Sequence, residues 1–157
     1  MERRNFIKTA VTAVAMVGLP SLVLAESTKK EEVLKSENQI SLDKAVALIV
    51  GKSKVEQSDK VKLLMPLIAE NSSVVPVKVE VDYPMEKENY VKSIHILSSE
   101  NSNTRTLDFF LTPANAEASF KTKIKLAKSQ KVMVLVGLSN GTFLKAEKAI
   151  KVTIGTC

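Results

Sequence analysis

The sequence of 157 residues has no tryptophan, one histidine, one cysteine and only five glycines. Each scarcity closes off a class of chemistry. A single His and a single Cys cannot build a zinc framework, a CxxC pair or an HExxH helix, and they leave no Ser-His-Asp ordering beyond chance. The few glycines form no phosphate-cradling loop, and nothing in the sequence implies a cofactor or a metal. Aromatic residues make up 4% of the chain and basic residues form no block, so the interleaving that marks a nucleic-acid surface is missing. The formal charge of +6 is spread through alternating sequence, which suits a small anion or an acidic partner.

What is present begins with an address. Arg3-Arg4-Asn5-Phe6-Ile7-Lys8 precedes an uncharged apolar run from Thr9 to Ala25 that ends in Val23-Leu24-Ala25. This is the pattern of a twin-arginine export signal over residues 1–25. Gly18 and Pro20 interrupt the run, and its length and weak apolarity argue against a retained membrane anchor. Cleavage after Ala25 removes Glu2, Arg3, Arg4 and Lys8, leaves residues 26–157, and places the mature protein in the periplasm. A chain of that size supports one domain with one modest core. Exported domains that depend on disulfides carry cysteines in even numbers, so a single thiol in an oxidising compartment needs a reason to be there.

Residues 26–58 read as a polar leader followed by a short amphipathic helix. Ser41 is a plausible N-cap, Asp43 falls in the first turn, and Leu42, Ala45, Val46 and Ile49 recur at helical spacing before Gly51. From residue 59 to 154 the periodicity is two. Seven strands are predicted near 61–69, 74–82, 91–98, 105–111, 117–126, 131–138 and 142–154. Val75, Val77, Val79 and Val81 share one face, and Phe120, Ile124 and Leu126 turn inward while Lys121, Lys123 and Lys125 turn outward. Ser139-Asn140-Gly141 is a hairpin turn. The fold class is all-β, an immunoglobulin-like two-sheet antiparallel sandwich, with a core of Val, Ile, Leu and phenylalanine in place of the missing disulfide and tryptophan.

His95 alternates with Ile94 and Ile96 and reads as a histidine on the outer face of its strand or in a subunit contact, against the alternative of a base near a nucleophile, with no partner that sequence can name. Asp82, Glu86 and Glu88 flank Tyr83-Pro84-Met85 without the fixed spacing of a cation site and read as a solvated loop. Asn71-Ser72-Ser73 and Asn140-Gly141-Thr142 match a glycosylation pattern, but with a bacterial export signal both read as turns. Cys157 is different. It comes after the last strand, and Gly155-Thr156 releases it from the sheet as residues 155–157 of a C-terminal arm. A terminal thiol has no further chain to bury it, and a thiolate on a short tether can hold a sulfur substrate covalently while other proteins act on it. An accidental terminal cysteine, a bridge to a second chain and a non-carrier sandwich that only scaffolds a partner are the competing readings.

From about Lys60 to the end, a series of segments resembles the SoxY family of the Sox thiosulfate-oxidation pathway. They are Leu67-Ile68-Ala69-Glu70-Asn71, Val75-Pro76-Val77, Val81-Asp82-Tyr83-Pro84-Met85, Val91-Lys92-Ser93-Ile94-His95, Phe110-Leu111-Thr112-Pro113, Ser139-Asn140-Gly141 and Lys151-Val152-Thr153-Ile154-Gly155. The resemblance implies a sandwich paired with a SoxZ-like subunit and carrying its cargo on Cys157. The SoxAX cytochrome would join thiosulfate to the thiol, the SoxB hydrolase would remove the sulfone group, and a sulfane dehydrogenase would oxidise the remaining sulfur. The carrier itself would catalyse none of these steps. The family ends in Gly-Gly-Cys-Gly-Gly, whereas here Gly155 and Cys157 match, Thr156 stands for the second glycine and no residue is given after the thiol. Thr156 is β-branched and stiffer than glycine, so it shortens the arm's freedom; a divergent carrier and a chain that continues past Cys157 both stay open.

Overall fold

Residues 40–153 are described in the computed structural model, so the expected signal over 1–25, most of the leader, and the arm Gly155, Thr156 and Cys157 lie outside the described residues. The helix α1 spans Leu42–Val50, as its spacing predicts. The Ser41 side chain accepts from the Lys44 N–H at 3.3 Å, Asp43 faces the positive end of the helix, and Gly51 closes it at φ 60 with its N–H donated to Ala47 O.

Nine strands come after it: β1 Val55–Gln57, β2 Val61–Leu64, β3 Ile68–Ala69, β4 Val75–Val81, β5 Val91–Ser98, β6 Arg105–Phe110, β7 Ala118–Ile124, β8 Gln130–Leu138 and β9 Phe143–Val152. They form two sheets, one in the order β1-β9-β8-β5-β6 with β3 also on β9, the other β2-β4-β7. This is the immunoglobulin-like two-sheet sandwich expected from the alternation. The long pairs are antiparallel, but β1 and β3 each run parallel to β9, at its start and at its end.

The expected strand over 61–69 is two strands in different sheets. Pro66 lies between β2 and β3 and has no N–H for a ladder, and the chain crosses from the small sheet to the large one there. β1 was not anticipated at all, since three residues next to a charged stretch carry too little period to be seen. The turn at Ser139-Asn140-Gly141 is as expected: Gly141 takes φ 84, and Asn140 Oδ1 accepts from the Thr142 N–H. Asn71 makes the same kind of turn with the Ser73 N–H.

The core lies between the sheets. Val75, Val77, Val79 and Val81 of β4 face Ile94 and Ile96 of β5 and the valines of β8, while Pro76 and Lys78 of β4 point away. The phenylalanines are the exception to expectation. None of Phe109, Phe110, Phe120 and Phe143 is buried: Phe109 stacks on Phe120 at the mouth between the sheets with ring centroids 4.8 Å apart, and Phe110 is 71% exposed. Phe120 packs against the core from its edge, and the fully buried interior is mainly valine, isoleucine and leucine.

β5 and β8 are buried on both faces, unlike the half-buried β4. The reason is a second cluster, in which Ala45 and Val50 of α1 pack with Leu97, Met133 and Leu135 on the outer face of the large sheet. The Thr104 hydroxyl ties the helix to the β5–β6 turn by donating to Ile40 O at 2.6 Å.

Val79 has no solvent exposure, so Val79→Asp should destabilise by about 3 kcal/mol or more and abolish the cooperative thermal transition. Lys123→Glu, on the exposed face of β7, should melt within about 0.5 kcal/mol of the parent. A normal melt for Val79→Asp would contradict this assignment of strand faces.

Candidate functional site

Cys157, Gly155 and Thr156 lie outside the described residues, which end at Thr153. The structure positions the base from which that segment departs. Successive residues of a strand turn their N–H and C=O groups to opposite edges, and at the end of β9 both edges are held. On one edge Lys151 N–H donates to Leu67 O at 2.9 Å and Thr153 N–H donates to Ala69 O at 3.0 Å; the Thr153 hydroxyl reaches the same carbonyl at 3.3 Å. On the other edge the Ser129 hydroxyl pinches Val152, accepting from its N–H at 2.9 Å and donating to its carbonyl at 3.3 Å. Ser129 thereby extends the β8 ladder by one residue, and β3 supplies the parallel partner Ile68↔Lys151 and Ala69↔Val152. Strand ends usually fray. This one is fixed up to the last described residue.

Around this base the surface is apolar. Leu67 is 68% and Ile68 57% exposed, Val74 is exposed beside them, and Ile68, Ala69 and Val74 line, with Pro66 and Pro76, a shallow cavity of about 360 Å³. Glu70 and Asn71 are its polar members. Among the described residues no group of three or more His, Cys, Asp or Glu could hold a metal ion. Asp82, Glu86 and Glu88 occur in the loop between β4 and β5, where the Tyr83 hydroxyl donates to Asn89 at 2.6 Å and Glu86 and Asn89 exchange backbone hydrogen bonds.

His95 is on the outer face of β5, as alternation requires, but it is buried there and has partners that sequence could not name. Only 5% of it is exposed. Its Nδ1 meets Asp108 Oδ1 at 2.6 Å, its Nε2 meets Ser93 Oγ at 3.0 Å, and Arg105 donates to the other Asp108 oxygen at 2.6 Å. The exposed ring of Phe110 covers the imidazole edge-on, centroids 6.0 Å apart. Nδ1–H is donated to the Asp108 carboxylate, which can only accept, and Nε2 shares a hydrogen bond with the Ser93 hydroxyl. The connectivity is that of a Ser-His-Asp relay, but the hydroxyl is not presented to a substrate. Ser93 is 7% exposed, and its Oγ fills the space beside Gly137, where a Cβ would come within 2.6 Å of it. The network braces β5 to β6. Sequence reasoning missed it because Asp108 comes opposite His95 only through the β5–β6 register, which also contains a bulge at Ile96/Leu97.

Burial alone would raise the Asp108 carboxyl, but hydrogen bonds from His95 and Arg105, with their charge, outweigh it and hold the group below the ordinary aspartate range. A depressed folded-state pKa contributes stability above the unfolded-state value, and the contribution is lost as pH falls through the folded value. Asp108→Asn should therefore be less stable than the parent at neutral pH by about 1–2 kcal/mol, with the gap closing in acid. Urea denaturation at neutral and acid pH checks this; a gap that does not change with pH would contradict it.

The model of the sulfur oxidation protein SoxY matches residues 46–157. No curated protein matches the chain. Among solved structures, the sulfur carrier protein SoxY from Chlorobium limicola f thiosulfatophilum is 27% identical, with a TM-score of 0.62 over 73% of this chain and 97% of that one. Superoxide reductase (neelaredoxin) from Ignicoccus hospitalis is 21% identical, with a TM-score of 0.55 over 60% of this chain and 80% of that one. Superoxide reductase from Nanoarchaeum equitans is 14% identical, with a TM-score of 0.51 over 62% of this chain and 99% of that one. The two reductases share the sandwich fold. Because the family match spans most of the chain and includes the strands that fix the C-terminal base, the chain belongs to the SoxY family, sulfur carriers rather than enzymes.

Proposed function

We propose that this protein carries thiosulfate-derived sulfur covalently on Cys157, in the periplasm, after export by the twin-arginine signal over residues 1–25. The observation that carries the reading is the clamped end of β9 at Thr153, four residues before the only cysteine of the chain. Four extended residues span at most about 14 Å. A thiol at that distance from a rigid body enters the cleft of another protein while the body stays outside it. The apolar surface of Leu67, Ile68 and Val74 beside the base offers a place for that protein to rest.

The chemistry is the one the resemblance implies. The Cys157 thiolate and the outer sulfur of thiosulfate form an S–S bond, and the two electrons released pass to the haem of a SoxAX cytochrome. Water, with SoxB, then cleaves the S–SO₃⁻ bond, giving sulfate, two protons and a persulfide on Cys157. A sulfane dehydrogenase then oxidises the outer sulfur of the persulfide anion to the sulfonate with oxygen from three waters, passing six electrons to its own electron acceptor and releasing six protons, and a second hydrolysis with SoxB gives sulfate and returns the Cys157 thiolate. Thiolate and sulfur electrophile exchange readily, which makes one cysteine sufficient for the whole series. A reactive thiolate is made by its surroundings, so activation of Cys157 falls to the enzyme that receives the arm. A SoxZ-like subunit completes the carrier as its heterodimeric partner.

Intact-mass spectrometry of the mature protein from thiosulfate-grown cells should show adducts on Cys157 that disappear in Cys157→Ser, together with loss of thiosulfate oxidation. Unmodified protein from such cells, or undiminished oxidation in Cys157→Ser, rules the reading out.

A further inference from the structure

The outer face of the small sheet carries more positive charge than a solvated face needs. The register sets Lys78 of β4 directly opposite Lys121 of β7, Pro76 opposite Lys123, and Lys62 of β2 opposite Glu80. Like charges facing each other across a ladder weaken it. Within the paired strands four lysines thus share the face with one carboxylate, Glu80, which Lys78 engages in an ion pair; Asp82 and Glu117 join Lys62 and Glu80 around a separate hollow toward the other end of the β4–β7 register. Hydrogen bonding from Lys78, against the opposing effect of burial, and the charges of Lys78, Lys62 and Lys121 hold Glu80 below its ordinary range. So Glu80 stays ionised and neutralises one of the four.

Beside these charges is a groove of about 380 Å³ lined by apolar residues, among them Leu64, Pro66 and Pro76, and by Lys78, Lys121 and Lys123. Leu64, Lys121 and Lys123 are exposed. Pro66 and Pro76 line both this groove and the cavity of Ile68, Ala69 and Val74. Ala69 in turn accepts the hydrogen bond from Thr153. One continuous surface therefore leads from the lysine-lined groove to the end of β9.

We infer that this face is the docking surface for the enzymes that receive the arm, and that each presents to it an acidic rim around an apolar projection. The inference rests on the carrier reading above and adds to it the surface and the charge of the partner. Charge selects the occupant. A second copy would set excess positive charge against excess positive charge. A permanent subunit is a poor fit, because the centres of lasting interfaces are depleted in lysine. A transient partner of opposite charge gains from the same lysines in encounter rate, which is what a carrier visiting several enzymes in turn requires.

The test uses the full carrier with its SoxZ-like subunit, purified SoxAX and SoxB, thiosulfate, and mass-spectrometric counting of Cys157 adducts. Lys121→Glu/Lys123→Glu should raise the KM for the carrier about tenfold or more at low ionic strength with kcat kept. The parent's advantage should fade as NaCl is raised. Lys44→Glu/Lys52→Glu, the same charge change on and beside α1, should behave like the parent. The KM for thiosulfate should be the same in all three. Parental KM and salt dependence in the Lys121/Lys123 variant overturn the inference while leaving the carrier intact. So does a change in the KM for thiosulfate alone, which would make the face a trap for the anion, and so does loss of the heterodimer on gel filtration, which would assign the face to the subunit. If even the parent forms no adduct, the carrier reading fails and the docking face falls with it.

Discussion

The structure depends on how β9 satisfies its backbone. A strand inside a sheet leaves no N–H or C=O unpaired without a cost of order 1–3 kcal/mol, and β9 runs for ten residues, ending five before Cys157. β8 covers one edge along most of its length. The other edge is covered by two short parallel strands that belong to distant sequence, β1 at Phe143–Lys145 and β3 at Lys151–Val152. Ser129 completes the last residue from the β8 side. Three separate segments are thus spent on holding the final strand, and the segment beyond Thr153 starts from a fixed point.

The rest of the fold serves that base. The helix and the His95 network cover the outer face of the large sheet, so β5 and β8 are buried on both sides and the sheet that contains β9 is stiffened from behind. Packed interiors transmit little slack. The small sheet is treated in the opposite way: its outer face is left to lysines and an apolar groove. One sheet is armoured and the other presented, and the chain turns from the presented sheet to the armoured one at Pro66, next to the C-terminal base.

Much of this was legible in the sequence, for reasons that differ by element. The helix carried its own cap, first-turn acid and closing glycine at Ser41, Asp43 and Gly51. β4 and β7 are half-buried, so their valines and lysines alternate without ambiguity. β1 escaped notice, and β3 was read as the end of the strand over 61–69, because parallel pairing is a property of where distant segments meet; a strand of two or three residues has no period of its own. His95 was placed on the correct face but judged without its partner, since a register of thirteen residues with a bulge cannot be read from spacing. Phe120 does turn toward the core, as its alternation implies, but stays partly buried; Phe110 and Phe143 pack elsewhere, against His95 and the α1 cluster, because aromatic type alone does not say which face a residue takes. The thiol itself was conspicuous from sequence alone, but the clamp at the end of β9 was not: Ser129 falls between two expected strands, and Leu67 was read as part of a strand over 61–69 with no sign that its carbonyl meets Lys151.

Amide hydrogen exchange at Val152 and Thr153 tests the clamped base most directly. The account predicts that both amides exchange as slowly as Val134 in the middle of β8, and that Ser129→Ala releases Val152 while leaving Val134 unchanged. Rapid exchange of Val152 and Thr153 in the parent protein, at the rate of a frayed terminus, would contradict it.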